Sequence, residues 1–404
     1  MTTAGALSHL RVLDLSRILA GPWATQLLGD LGAEIIKVER PGSGDDTRAW
    51  GPPWVKDETG QDTEVAAYYL CSNRNKRSVT IDFTQAEGQA LVRELAMQCD
   101  VLVENFKVGG LAQYGLDYAT LSALNPRLIY CSITGFGQDG PYAERAGYDF
   151  LIQGMGGLMS LTGQPDGPPT KVGVALTDVL TGLYASNAIL AALAWRERSG
   201  LGQHIDLALL DVQVASLANQ AMNYLASGRT PQRMGNAHPN IVPYDAFPTA
   251  DGHMILAIGN DAQFVRFCKE AGTEWALDAR FATNAERVKH RDALIAAMHE
   301  VTQTRSTAEW IATLESVAVP CGPINDIRQV FDDPQVQHRG MKIALPHPAA
   351  GTVPLVANPI HLSETPVNYR SAPPMLGADT RAVLVDFLGK TDADIARLTG
   401  TQTI

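Results

Sequence analysis

The chain has 404 residues, which exceeds the roughly 250–300 residues at which a single core usually stops growing and predicts two domains. Its 45 % hydrophobic and 19 % charged residues exclude a disordered chain, and no apolar run is read as bilayer-length. The formal net charge of -11 argues against nucleic acid as a partner, though a locally basic cleft can still take a small anion.

The start, MTTAGALSHL, lacks a basic flank followed by an apolar core, so a cytoplasmic protein is expected. Five scattered cysteines without a C-x-x-C pair read as reduced thiols. Leu10–Leu15 alternates as a strand, Ala20–Leu31 follows as a helix with Gly-Pro at its start, and Glu34–Glu39 is a second strand. This βαβ rhythm recurs: Ser78–Phe83 is extended, Gly88–Gln98 helical, Val101–Glu104 a strand, Tyr118–Leu124 a helix and Leu128–Ile133 a strand. A doubly wound, Rossmann-like α/β domain is therefore expected, with ligands at the carboxyl ends of its strands.

Farther on, Val179–Arg196 reads as a long helix, His204–Leu209 as a strand and Asp211–Leu225 as a helix. The turn formers after Gly228 read as a linker. The expected division is 1–227 for the large domain, 228–241 for the linker, 242–325 for a smaller α+β domain, and 326–404 for a tail returning to the large domain. In the small domain, Met254–Ile258 reads as a strand, while Phe264–Glu270, Arg291–Thr302 and Thr307–Val317 read as helices. Asp379–Leu388 is the final helix of the tail.

Two phosphate-binding motifs fail on context. Gly135-Phe-Gly-Gln-Asp-Gly140 is a literal G-x-G-x-x-G, but Pro141-Tyr-Ala-Glu-Arg follows where a helix should open, and no acidic strand end appears about 20 residues on. Gly389-Lys390-Thr391 is preceded by Leu384 where a phosphate loop needs glycine. There is no G-x-S-x-G, and the histidines show no metal-binding spacing, so no metal and no permanently bound cofactor are expected.

Several stretches in order resemble the class III CoA-transferase family, of the CaiB/BaiF type, which includes the formyl-CoA and carnitine CoA-transferases. They are Leu13-Asp-Leu-Ser-Arg-Ile-Leu-Ala-Gly-Pro22, Leu31-Gly-Ala-Glu-Ile-Ile-Lys-Val-Glu-Arg-Pro41, Asn73-Arg-Asn-Lys-Arg-Ser78, Val103-Glu-Asn-Phe106, Arg145-Ala-Gly-Tyr-Asp149 and Gly173-Val-Ala-Leu-Thr-Asp178. Thr177–Ala185 and Ala237–Tyr244 are similar to the members that use succinyl-CoA and short dicarboxylates such as glutarate.

The resemblance implies that Asp178 is a covalent nucleophile which passes through a mixed anhydride and an aspartyl-CoA thioester. An aspartate with an unperturbed pKa of ~3.9 is ionised at neutral pH and requires no general base. The local reading of Asp178 is instead a helix N-cap, and both roles are compatible.

For CoA the resemblance implies Ile18, Leu19 and Ala20 as backbone around pantetheine and adenine, Arg40 as a phosphate partner, Ile81 against adenine, and Asn105 and Phe106 near the nucleotide. Lys76 and Arg77 read either as a surface charge pair or as further phosphate guides. Gln113 stands where some relatives have a basic residue, and Lys107 or Arg145 can supply that charge. Arg48, Arg145 and His238 are the candidates for the acceptor's second carboxylate, and Tyr148 is placed in the acceptor site. Glycine-rich Gly154–Gly163 and the segment around Gly235 are candidates for backbone closing over the intermediates.

The partners implied are an acyl-CoA, a small carboxylic acid and a second copy of the chain in an interlocked homodimer. Glutarate, malate, citramalate, itaconate and sulfinate analogues of succinate all fit as acceptors; the reduced glycine run at Gly235-Asn-Ala-His-Pro disfavours oxalate. Two alternatives are an α-methylacyl-CoA racemase and a non-catalytic CoA-binding protein. Tyr148 stands where the racemases carry histidine, and a phenol is a poor base at neutral pH.

Overall fold

Short apolar segments separated by amphipathic helices form six parallel strands in the computed structural model, which describes residues 5–404. Residues 1–4, where the stretch read for a leader begins, lie outside the described residues. The strands are β1 (Arg11–Asp14), β2 (Glu34–Glu39), β3 (Lys76–Thr80), β4 (Val101–Glu104), β5 (Ile129–Thr134) and β6 (His204–Ala208). They lie in the order β3-β2-β1-β4-β5-β6, every neighbouring pair parallel. This is the doubly wound order, and its direction reverses between β1 and β4. A crevice therefore opens beyond the carboxyl ends of those two strands.

Both sheet faces are covered, so the strands are largely buried, including polar positions such as Asp14, Lys37, Lys76 and Ser78. The helices that matter for the site are α1 (Ala20–Asp30), α2 (Ala86–Met97), α3 (Asp149–Met155), α4 (Leu176–Ser199) and α5 (Thr380–Leu388). On one face, Leu13, Ile36, Val79 and Leu102 pack against Leu91 and Leu95 of α2 and Val383 and Leu384 of α5. On the other, Val12, Ile35, Val103 and Ile129 pack against Ala24 and Leu28 of α1 and Ala185, Ile189 and Ala192 of α4. The chain's last segment is stitched to β3: Asp379 Oδ2 accepts the Ser78 N–H and Thr380 Oγ1 accepts the Thr80 N–H. Both ends of the sequence thus build one α/β body.

Three expectations change. The tail does not end on the helix expected as its last, since Asp392–Gly400 forms another after α5. Contrary to the sequence reading, α4 is long and apolar enough to cross a membrane by length and composition, but its Ala185-Ile189-Ala192 stripe is spent on the second core. The single helix expected over Asp211–Leu225 is two, Leu209–Ala215 and Ala218–Ser227, interrupted where Ala218 takes a φ of 45°.

The described residues up to Leu158, with Lys171–Ala226 and Gln335–Ile404, form this first unit; Met159–Thr170 and Ser227–Pro334 form a second. The second unit has a three-stranded antiparallel sheet, with His253–Ala257 between Cys321–Pro323 and Tyr244–Pro248. Its core gathers Phe247, Phe264, Phe267 and Trp310. Arg287 is fully buried there, with carbonyls of Val242 and Phe281 and the Asp261 carboxylate accepting its N–H groups.

Candidate active site

A cleft of about 650 Å³ lies in the first unit, at the carboxyl ends of β1, β2, β4 and β5. The chain leaving β1 contributes Arg17, Ile18, Leu19 and Ala20, the end of β2 contributes Arg40, and the end of β4 contributes Asn105 and Phe106. Ile81, Arg145, Tyr148 and Asp178 complete the expected residues that face it. Ten of the expected site residues are thus brought to one cavity at the topological switch point, where doubly wound folds bind ligands.

Aromatic and cationic groups share the walls. Phe106 meets Phe83 edge to face at 5.7 Å, and Phe83 meets Tyr114 at 5.6 Å. This gives a partly buried aromatic wall against which a heterocyclic base can pack. Arg17 lies over Phe106 at 5.4 Å and pairs with Asp46 at 2.9 Å, and Arg145 lies over Tyr142 at 4.6 Å and Phe136 at 5.2 Å. Arg40 and Lys107 add further cations to the lining, beside the carboxylates of Glu39, Asp45, Asp46, Asp82 and Asp178. Arg17, Phe83 and Tyr114 were missed in the sequence. Arg17 lay inside the Leu13–Pro22 stretch without a role, and the signal for Phe83 and Tyr114 was only their position after β3 and β4.

Asp178 is not the N-cap. Helix α4 begins two residues earlier at Leu176, and Ala175 in the capping position makes no side-chain bond. The cap comes from α3: Asp149 Oδ1 accepts the N–H of Thr177 at 2.8 Å and of Asp178 at 3.3 Å. Asp149 is held in turn by Gln153 Nε2 at 2.7 Å, while Gln213 Oε1 accepts the Thr177 hydroxyl at 2.6 Å. The Asp178 carboxyl is left to face the cleft. Burial, followed by the nearby Asp149 charge, pushes its pKa up to about 7. The sequence suggested an aspartate ionised by default; burial and then the Asp149 charge instead disfavour the carboxylate, so it titrates near neutrality.

Three expected residues lie elsewhere. Lys76 is fully buried below the site, donating to Asp14 Oδ2 at 3.1 Å, the Pro22 carbonyl at 2.9 Å and Asn73 Oδ1 at 3.0 Å. Arg48 grips Glu39 with two 2.7 Å bonds and donates to the Tyr69 hydroxyl and the Pro374 carbonyl. His238 belongs to the second unit, where its ring lies 5.3 Å from that of Tyr244. Asn105 reaches the cleft, but its amide is occupied on both sides by the Arg17 main chain.

Behind the Asn105-Phe106 turn, Glu104 Oε2 accepts the Phe106 N–H at 2.8 Å. Burial pushes Glu104 up to about 7, against hydrogen bonds from Ser132 and Phe106. The Gly135–Gly140 motif leads through turns to α3 instead of opening a helix, so it has no helix terminus to offer a pyrophosphate. Among the described residues there is no cluster of three or more metal-ligating side chains.

The sequence model of CoA-transferase family III matches residues 7–380. The chain belongs to that family. This class III CoA-transferase is 54 % identical over 381 residues to a succinate–glutarate CoA-transferase of Agrobacterium fabrum, covering 94 % of this chain and 95 % of the relative. It is 43 % identical over 399 residues to a succinyl-CoA:glutarate CoA-transferase of Homo sapiens, covering 98 % and 90 %. The crystal structure of a CAIB/BAIF family protein from Brucella suis superposes with a TM-score of 0.84 at 53 % identity, covering 95 % of this chain and all of that one.

Proposed function

We propose that this CoA-transferase moves CoA from succinyl-CoA to glutarate, or to a dicarboxylate of similar length, with Asp178 as the covalent carrier. The observation that carries the reading is the Asp178 carboxyl at the start of α4, facing a cleft with an aromatic wall and cationic residues. The names of the two glutarate-using relatives supply the choice of acids.

In the proposed reaction an Asp178 oxygen attacks the thioester carbonyl carbon, the C–S bond breaks and CoA leaves as the thiolate. That thiolate attacks the Asp178 carbonyl of the resulting anhydride, releasing succinate and forming the aspartyl thioester. A glutarate oxygen then attacks that carbonyl and expels the thiolate, which attacks the glutaryl carbonyl and frees Asp178. Each step exchanges one acyl bond for another, so no oxidant or metal is required. Arg40 and Phe106 hold the nucleotide end of CoA, while Tyr148 and Arg145 meet the acceptor near Asp178. Malate, citramalate, itaconate and sulfinate analogues fit the same dianionic pattern.

The homodimer is part of the same proposal. Phe150, Leu151 and Met155 on α3, and Met222, Tyr224 and Leu225 on Ala218–Ser227, are exposed large apolar side chains of the kind a partner chain covers. Light scattering on the purified protein should give twice the mass of the chain, and an active monomer would remove this part.

The decisive chemical test is trapping. After incubation with succinyl-CoA, hydroxylamine should leave a hydroxamate on Asp178 detectable by peptide mass spectrometry. The adduct should require the donor, and its absence from active enzyme would overturn the covalent role. A panel of the five acceptor types with succinyl-CoA should give the highest kcat/KM for glutarate.

A further inference from the structure

Ile18 lies in the cleft wall with a φ of 71°, in the left-handed region that β-branched residues rarely adopt. Three side chains hold the main chain there. Lys37 Nζ donates to the Ser16 carbonyl at 2.8 Å; Asn105 Oδ1 accepts the Arg17 N–H at 2.9 Å and Asn105 Nδ2 donates to the Arg17 carbonyl at 2.7 Å; Asp45 Oδ1 accepts the Ile18 N–H at 3.3 Å. Lys37 and Asp45 are joined at 2.9 Å, and both side chains are fully buried. Three consecutive residues are thus gripped from β2, from the loop after it and from the end of β4.

A strained backbone persists only where its surroundings over-determine it, and such strain gathers where a site needs one particular shape. Oδ1 and Nδ2 of Asn105 are both engaged by the Arg17 main chain, which fixes the orientation of the amide. We infer that Asn105 and the Lys37–Asp45 pair are positioning residues that hold Ile18 in its left-handed conformation, shaping the cleft wall that receives CoA. The inference rests on the reading of the cleft as the CoA site. Without the grip, Ile18 relaxes toward negative φ and the Arg17–Ala20 wall turns away from that shape.

A double-mutant cycle tests the assignment, with KM for succinyl-CoA, KM for glutarate and kcat measured for Asn105→Ala, Ile18→Gly and the double variant. Glycine takes positive φ without steric cost, so the grip matters less in its background. Asn105→Ala alone should raise KM for succinyl-CoA about tenfold, the scale of one or two lost hydrogen bonds, and leave the other two parameters nearly unchanged. In the Ile18→Gly background the same change should cost about twofold or less, a non-additive result.

Equal effects in both backgrounds would mean that Asn105 touches CoA directly, and would overturn the inference, as would an unchanged KM in Asn105→Ala. Phe106→Ala separates this from the underlying reading. If Phe106→Ala leaves KM for succinyl-CoA unchanged, the placement of CoA in the cleft fails; if it raises KM while the cycle is additive, only the positioning role fails. Should Asn105→Ala not fold, Asn105→Asp keeps the acceptor for the Arg17 N–H, loses the donor and enters the same cycle.

Discussion

Asp149 holds Asp178 and opposes its charge at once: its Oδ1 accepts the Thr177 and Asp178 N–H groups, while its negative charge adds to burial in raising the Asp178 pKa to about 7. The nucleophile must be ionised to attack, so kcat/KM of wild-type enzyme should climb as pH rises through 7 and level off above it. Asp149→Asn keeps an oxygen for the Thr177 N–H and removes the opposing charge, so the rising limb should move to lower pH. A pH profile from 5.5 to 9 should show a variant-to-wild-type ratio at pH 6 several-fold above that at pH 8. A limb that stays in place would show that burial alone sets the titration.

The same shift is a stability statement. The folded-state pKa of Asp178 is raised above its unfolded value, so its favourable contribution is complete below the unfolded pKa and is lost as pH rises through about 7. Above that, the folded protein carries a desolvated carboxylate beside Asp149. Asp178→Asn should therefore raise Tm at pH 8 and change it little at pH 4.5, while abolishing transfer. Thermal unfolding at the two pH values decides the point.

These residues also mark what could be read along the chain. The strands were legible because short segments carrying apolar residues alternate with helical stretches, and the βαβ spacing restricts the sheet to a few orders. Asp178 was legible through its motif. The cap that holds it was not, because Asp149 lies 29 residues earlier and nothing local links α3 to the first turn of α4. Lys76 and Arg48 read as cations for a ligand because sequence shows charge and not burial. Their partners, Asp14 and Glu39, lie 62 and 9 residues away. The left-handed Ile18 was invisible for a related reason: tertiary bonds impose it against the residue's own preference.

Arg48 offers a test of that distinction. Glu39 is buried, with its pKa lowered where the hydrogen bond from Arg48 and the charges of Lys37 and Arg48 overcome desolvation. Removing the guanidinium leaves this carboxylate without its bidentate partner, a loss of about 3–5 kcal/mol in comparable buried pairs. Arg48→Ala should therefore lower the midpoint of urea unfolding sharply, while KM for the acceptor, measured on the folded fraction, stays near wild type. A rise in acceptor KM at unchanged stability would return Arg48 to the substrate site.

Gly147 sets the position of the whole Tyr148-Asp149 corner. A Cβ built on it would lie 2.3 Å from the Gly135 Cα, and one built on Gly135 would lie 2.6 Å from the Gly147 Cα, so the two main chains touch where no side chain can swing away. This contact gives the first glycine of the Gly135–Gly140 motif a reason that owes nothing to a dinucleotide: it lets the segment before α3 pack against the end of β5. Gly147→Ala must push that segment outward, carrying Asp149 off the Thr177 and Asp178 N–H groups. The expected result is a fall in kcat of at least about tenfold, since small displacements of reacting groups are costly, with circular dichroism of the folded protein preserved. The pH limb should change with it, because the Asp149 charge moves away from Asp178. Wild-type kcat and pH profile in Gly147→Ala would show that the corner tolerates the added methyl and that Asp149 is not placed by this contact.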